Sequence, residues 1–201
     1  MKKILIGTTN PSKIKKYQDY LSDFDIEWYT LKDLKIETTP EETGQTPKEN
    51  AEIKARYYGQ FFDSVICNDS GLYFLDFPLD DPVQPGLYIR RVHGKELSDE
   101  EMIDYYSQLA CQHGGKILAS YVQGVAVYEQ GVISSFMEYD EFNRYYAFYL
   151  NDHIVDTYTP GWPLDSLHSS TDFFSEEETR LKKQEYDERF HQFLVRSLKL
   201  K

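Results

Sequence analysis

Three short segments carry side chains whose types and spacing can do phosphate and metal chemistry. The first is GTTNPSK, residues 7–13. Asn10 as a helix cap and Pro11 at the first helical position predict a helix start after an apolar run. Backbone N–H groups at such a strand-to-helix turn, aided by the helix dipole, form an anion site. The hydroxyls of Thr8 and Thr9 and the ammonium of Lys13 would complete a phosphate cradle. The same residues also fit a capped helix with a solvated lysine. The glycine spacing of a Walker A loop is absent, and a lysine in the first turn opposes the usual dipole preference.

The second segment is EETGQTPKENAEIKAR, residues 41–56. A loop carboxylate such as Glu42 beside a phosphate site is a natural Mg²⁺ ligand, because Mg²⁺ takes one or two carboxylates with phosphates and water. A solvated acidic loop is the other reading. Glu49 has a structural task as the last residue of a capping box, Thr46-Pro47-Lys48-Glu49. Lys54 lies further along the helix and can point to phosphates or to water. The third segment is CNDSGLYF, residues 67–74, where Asp69 follows the apolar run Val65-Ile66-Cys67. Sheets of α/β proteins bind ligands beyond their strands' carboxyl ends, and an Asp there can bind a metal or deprotonate a water. An Asx-turn before Gly71 explains the same residues.

These side chains need elements to position them. Residues 3–9 predict a buried strand, followed by a helix with Ile14, Tyr17 and Leu21 on one face. Residues 26–30 predict a second strand. A helix of about 15 residues follows Thr46, with Ala51, Ala55, Tyr58 and Phe62 on one stripe. Val65 to Cys67 predict a third strand. Ser98 and Glu101 form a capping box for a helix carrying Met102, Tyr105 or Tyr106, and Leu109. Residues 117–128 predict a long strand with a kink at Gly124. Residues 132–139 and 145–150 predict antiparallel partners. Ser175 and Glu178 form a third box, opening a helix that buries Leu181, Phe190, Phe193, Leu194 and Leu198. This order predicts an α/β chain with a mixed sheet.

The bulk composition excludes several classes. With 201 residues, 40% hydrophobic and 28% charged, the chain suits one globular domain. A net charge of -12 argues against a nucleic-acid-binding face. Cys67 and Cys111 fit neither a metal spacing nor a disulfide framework. The first apolar run is too short for a signal peptide and nothing approaches a membrane span, so the expectation is a cytoplasmic protein.

Taken together, the segments resemble the inosine triphosphate pyrophosphatase family, the Ham1-like hydrolases of non-standard purine nucleoside triphosphates. The resemblance rests on Thr8-x-Asn10-x-x-Lys13, on Glu42-Thr43-Gly44-x-Thr46-x-x-Glu49-Asn50-Ala51-x-x-Lys54-Ala55-Arg56, on Asp69-Ser70-Gly71-Leu72, and on Pro85-Gly86-x-Tyr88 with Arg91 and Gly94. It covers roughly residues 1–95. It implies one domain over residues 1–201, an elongated mixed sheet flanked by helices, in two lobes with a central cleft, and a homodimer. It implies Mg²⁺-dependent hydrolysis of a nucleoside triphosphate to the monophosphate and pyrophosphate. Carried over residue by residue, Thr8 to Lys13 hold phosphates, Glu42 and Asp69 bind the metal, and Asp69 also serves as base. Ser70, Lys54 and Arg91 contact substrate, with Arg90 where other members carry a lysine. The physics agrees, since triphosphate cleavage needs charge neutralisation and a positioned water.

The second half departs from that pattern. A Phe-Gly-Tyr-Asp-Pro segment and a Ser-His-Arg are missing, and Thr159-Pro160-Gly161-Trp162-Pro163 stands nearest the former, with Trp162 able to stack on a base. Lys16 stands where the resemblance implies a glutamate, and Asn68 where an acid commonly precedes the aspartate. Fewer carboxylates would weaken Mg²⁺ binding or change its coordination. Two readings follow: a hydrolase with altered base preference, or a catalytically degenerate nucleotide-binding or partner-binding protein on the same scaffold.

Overall fold

The computed structural model describes residues 1–138, 142–158 and 162–201. In chain order its elements are β1 (Lys2–Ile6), α1 (Pro11–Tyr20), β2 (Ile26–Thr30), α2 (Pro47–Tyr58), β3 (Ser64–Phe74), β4 (Arg91–Val92), β5 (Lys95–Glu96), α3 (Asp99–Gln112), β6 (Lys116–Glu129), β7 (Val132–Met137), α4 (Phe142–Tyr145), β8 (Phe148–Asn151), a 3₁₀ turn (Pro163–Leu167), β9 (His168–Ser170) and α5 (Glu176–Ser197). The fold is mixed α/β, as the order of sequence signals predicted. The chain divides into two compact units. The first holds Met1–Ser70, Gln123–Glu138 and Lys183–Lys201, and the second holds Gly71–Val122 and Tyr139–Lys182.

In the first unit β1 pairs in parallel with β2 and with β3, and β7 lies antiparallel on β6. Alternation along the strands sends side chains to two helical layers. Ile4, Ile6, Ile66, Val125 and Val127 pack with Tyr17 and Leu21 of the α1 region and with Phe190 and Leu194 of α5. Leu5, Val65, Cys67 and Ala126 face α2 through Ala51, Ala55 and Tyr58. Burial in apolar surroundings pushes the Cys67 thiol up to about 12, so it packs as an inert hydrophobe. In the second unit β8 pairs antiparallel with β6 and β9. Leu72, Ile117, Ala119 and Leu150 there pack on Met102, Tyr106 and Ala110 of α3.

Several expectations fail on the local physics. The third strand does not end at Cys67: β3 runs unbroken from Ser64 to Phe74, so the alternative of an Asx-turn at residues 68–71 falls. Gly71 lets the strand pass close to a loop: its missing Cβ would sit 2.8 Å from the Gly86 carbonyl, which accepts from Leu72 N–H at 2.9 Å. The predicted burial of Leu181 is also wrong, since that side chain is 50% exposed while Phe190 and Leu194 are buried. The capping boxes at Ser98 and Ser175 form reciprocally. At Thr46 only half of the box forms. The Thr46 hydroxyl accepts from Glu49 N–H, but the Glu49 carboxylate accepts from Gln45 N–H instead of from the cap. Phe62 lies beyond the end of α2, which stops at Tyr58. Among the described residues no helix is long and apolar enough to cross a membrane.

The long strand β6 continues through Gly124, whose role is close approach. A Cβ at Gly124 would land on backbone atoms of Pro47 and Lys48, the first turn of α2. Backbone cannot step aside as a flexible side chain can, so Gly124→Ala is expected to destabilise the protein by about 2 kcal/mol or more. Urea unfolding measures it, and a loss below about 0.5 kcal/mol, the ordinary scatter of neutral surface changes, would refute the packing argument.

Candidate functional site

The site is built from four elements of the first unit. After β1, Thr8 N–H turns back onto the Ile6 carbonyl at 2.9 Å, and Asn10 N–H donates to the Thr8 hydroxyl at 3.2 Å. Asn10 caps α1 by accepting from Ser12 N–H at 2.9 Å and Lys13 N–H at 3.3 Å. These bonds are local and follow from sequence. They set Lys13 in the first turn of α1, with Thr9 exposed at the tip of the connection.

On the other side of the sheet, α2 presents Asn50 and Lys54 one helical turn apart on one face. Asp69 lies on β3 two residues beyond Cys67, so the pleat turns it toward α2. Asn50 Nδ2 donates to Asp69 Oδ2 at 2.9 Å, and Lys54 Nζ donates to Asp69 Oδ1 at 3.1 Å. The same ammonium lies 3.1 Å from Glu42 Oε1. Asn50 also accepts from Gly44 N–H at 2.8 Å, which ties the Glu42 loop to the helix. Asn50 is buried, at 3% exposure, and completes its network with both ends of its amide. It had no assigned role in the sequence reading; its spacing of four before Lys54 was the available signal.

Burial lowers the Lys13 amine from its ordinary value. The nearby Lys54 ammonium lowers it further, and the Asp69 and Glu42 carboxylates oppose the shift. Lys13, Lys54, Glu42 and Asp69 therefore act on one another as a single electrostatic cluster. Ser70 follows Asp69 on β3 and is partly buried. Asn68, one residue before, is 5% exposed, and its Oδ1 has no hydrogen-bond partner among the described residues. Lys16 donates to Gln123 Oε1 at 2.7 Å and lies over the Tyr20 and Phe190 rings at 5.8 Å from each centroid.

The remaining predicted contacts lie in the second unit. Arg90 is committed there, donating to Asp99 at 2.7 Å and to the Leu97 carbonyl at 3.0 Å. Arg91 is exposed at the start of β4, and Trp162 is 39% exposed just before the 3₁₀ turn. Thr159 to Gly161 lie outside the described residues.

The residues present fit a divalent cation. Two carboxylate oxygens, Glu42 Oε1 and Asp69 Oδ1, converge on one positive charge, the Lys54 ammonium. Hard oxygen donors of this kind suit Mg²⁺. Among the described residues no group of three or more His, Cys, Asp or Glu is placed to hold a metal, so substrate and water would have to complete the shell.

Comparison with known proteins bears on family and fold. A profile described as the Ham1 family matches residues 4–138. A dITP/XTP pyrophosphatase of Oceanobacillus iheyensis is 42% identical over 107 residues, 52% of this chain and 52% of that protein. One of Leptospira interrogans is 42% identical over 101 residues, 49% of each. The chain thus spans about half the length of the curated relatives it matches. Among solved structures, a HAM1 protein from Coxiella burnetii superposes with a TM-score of 0.69 at 21% identity, covering 98% of this chain and 100% of that one. The Staphylococcus aureus Ham1 protein gives 0.66 at 22%, covering 96% and 98%. These two likenesses establish the fold.

Lys13 supplies a prediction about stability. Its amine is lower in the folded chain than in the unfolded one, so the unfolded state binds more protons between the two values. The resulting penalty is fully present below the folded value and is relieved as pH rises toward the ordinary 10.5. At neutral pH, Lys13→Met should therefore melt at or above the wild-type temperature without ligand, yet lose stabilisation by added pyrophosphate. Thermal unfolding with and without pyrophosphate checks both; a variant that melts lower and still responds to pyrophosphate contradicts the assignment.

Proposed function

We propose a function from the premise that this chain belongs to the Ham1 family: it hydrolyses nucleoside triphosphates of non-standard purines to the monophosphate and pyrophosphate. The observation that carries the reading is the convergence of Lys13, Glu42, Lys54 and Asp69 in one electrostatic cluster. They come from segments far apart in sequence, and each is a residue type that triphosphate cleavage uses. The relatives named dITP/XTP pyrophosphatase support the substrate class.

In this reading the N-terminal turn of α1, with Thr8, Thr9, Asn10 and Lys13, holds the phosphate chain. Lys13 then regains by pairing with phosphate what burial costs it. Glu42 and Asp69 would hold Mg²⁺, which when bound neutralises charge on the phosphates. Water attacks phosphorus, the anhydride between the α and β phosphates breaks, and pyrophosphate leaves. Asp69 takes the proton of the attacking water on its carboxylate. Asn50 fixes Asp69 through Oδ2, while Oδ1 faces Lys54 and, across it, Glu42. Ser70 is a further substrate contact in this proposal, and base preference is altered because the Phe-Gly-Tyr-Asp-Pro segment that the family resemblance implies is missing here.

The test is pyrophosphate release from a panel of triphosphates with Mg²⁺. Wild type should act on at least one deaminated purine triphosphate, and Asp69→Asn should lower kcat by at least about 100-fold, the usual worth of a general base. Folded wild-type protein that releases pyrophosphate from no triphosphate would sink the proposal and leave a binding protein.

A further inference from the structure

Lys54 occupies an awkward place for a substrate-binding lysine. Its ammonium already bonds Glu42 Oε1 and Asp69 Oδ1, both at 3.1 Å. These oxygens are the ones that converge on a single cation. The lysine is well inside the site, with 13% of its side chain exposed, whereas Glu42 is 43% exposed. A monovalent and a divalent cation cannot share two carboxylate oxygens at contact distance without strong mutual repulsion. The arrangement with Lys54 in place and the arrangement with a metal in place are therefore alternatives.

We propose that Lys54 and the divalent cation exchange on the Glu42–Asp69 pair. Without metal, Lys54 closes the pair as an internal counter-ion. When the cation takes those oxygens, Lys54 swings off them on its flexible four-carbon stem and its ammonium goes to a substrate phosphate. Asp69 stays in register during the exchange, because Asn50 holds its other oxygen at 2.9 Å and is itself anchored to Gly44. Glu42 is the more exposed of the two carboxylates and lies in the loop that precedes α2. Lys54 is thus a positioning residue as well as a contact. It makes metal loading and phosphate capture help each other, and linkage requires that help to be reciprocal.

The inference rests on the reading of Glu42 and Asp69 as metal ligands, and the experiment separates the two. Mn²⁺ binding to the full chain is measured by calorimetry without nucleotide, on wild type, Lys54→Met, Lys54→Gln, Lys13→Met and Glu42→Gln, each shown folded by thermal unfolding. Exchange predicts that both Lys54 variants bind Mn²⁺ about tenfold tighter than wild type, within the usual range of coupling between sites. Lys13→Met also removes a positive charge but frees no carboxylate bond, so its gain should be clearly smaller. Adding a non-hydrolysable triphosphate should tighten Mn²⁺ binding in wild type and do so less in the Lys54 variants. Equal Mn²⁺ affinity in wild type and both Lys54 variants, or an equal gain in Lys13→Met, overturns the exchange. If Glu42→Gln still weakens Mn²⁺ in that case, the metal reading survives. No Mn²⁺ binding by any variant overturns both.

Discussion

The site depends on one constraint: Asp69 must be kept charged, aimed and only part exposed at the top of a sheet. A carboxylate withdrawn from water costs a great deal unless it is paired and hydrogen-bonded. Here each oxygen has its own partner, Asn50 on Oδ2 and Lys54 on Oδ1. Glu42 then balances Lys54, and the two carboxylates together offset the crowding of Lys13 and Lys54. Removing either carboxylate would leave a lysine ammonium less compensated. The cluster is near neutral by itself, so in the proposed function a polyphosphate and a divalent cation would bring offsetting charges to it, and the net charge of -12 would not bar an anionic ligand.

The scaffold serves this cluster through the start of α2. Thr46 caps the helix, Pro47 is buried at its first position, and Gly124 of β6 admits the backbone of Pro47 and Lys48. The loop before the cap is pinned twice. Glu49 accepts from Gln45 N–H at 2.7 Å, and Asn50 accepts from Gly44 N–H at 2.8 Å. With Gly44 and Gln45 fixed, Glu42 has only a short reach to Lys54. The Glu49 carboxylate thus serves the loop more than the helix cap. Burial of Ala51 and Ala55 against Val65 and Cys67 holds α2 on the sheet, and so holds Asn50 and Lys54 over Asp69.

Much of this was legible in the sequence. The α1 start was, because Asn10 and Pro11 act within a few residues. So were the boxes at Ser98 and Ser175, β2 at residues 26–30, and the Tyr17–Leu21 and Ala51–Ala55 faces. The stretch Asn68-Asp69-Ser70-Gly71 was not, because its composition is that of a turn. What makes it strand is pairing with chain distant in sequence, including the Gly86 carbonyl, and local propensity carries no record of that. Gly124 looked like a kink for the same reason: the atoms it accommodates belong to Pro47 and Lys48. Lys13, Glu42, Lys54 and Asp69 were named from type and spacing. The bond between Lys54 and both carboxylates could not be, since it needs the register of α2 on β3. Arg90 was read as a substrate contact, and its commitment to Asp99 was hidden by the intervening hairpin.

The alternation of β3 also settles what Asn68 and Lys16 mean for the site. Asp69 shares a face with Val65 and Cys67, toward α2, while Asn68 shares a face with Ile66, toward α1 and α5. Asn68 Oδ1 is buried there with no donor among the described residues. An aspartate in that position would hold an unpaired charge away from water, which costs far more than an unpaired amide oxygen. Lys16 lies on α1, and its ammonium is satisfied by Gln123 and by the faces of Tyr20 and Phe190. Burial lowers its amine from the ordinary value, and the Asp187 carboxylate opposes that shift. Both departures from the acidic pattern therefore act on the α1 side of the strand. They make that side less negative without touching the Glu42–Asp69 pair, which α2 holds on the other. For a cation held there as proposed, the carboxylates would be set by Lys54 and Asn50, and residues 16 and 68 would act through longer-range fields, which fall off with distance and dielectric.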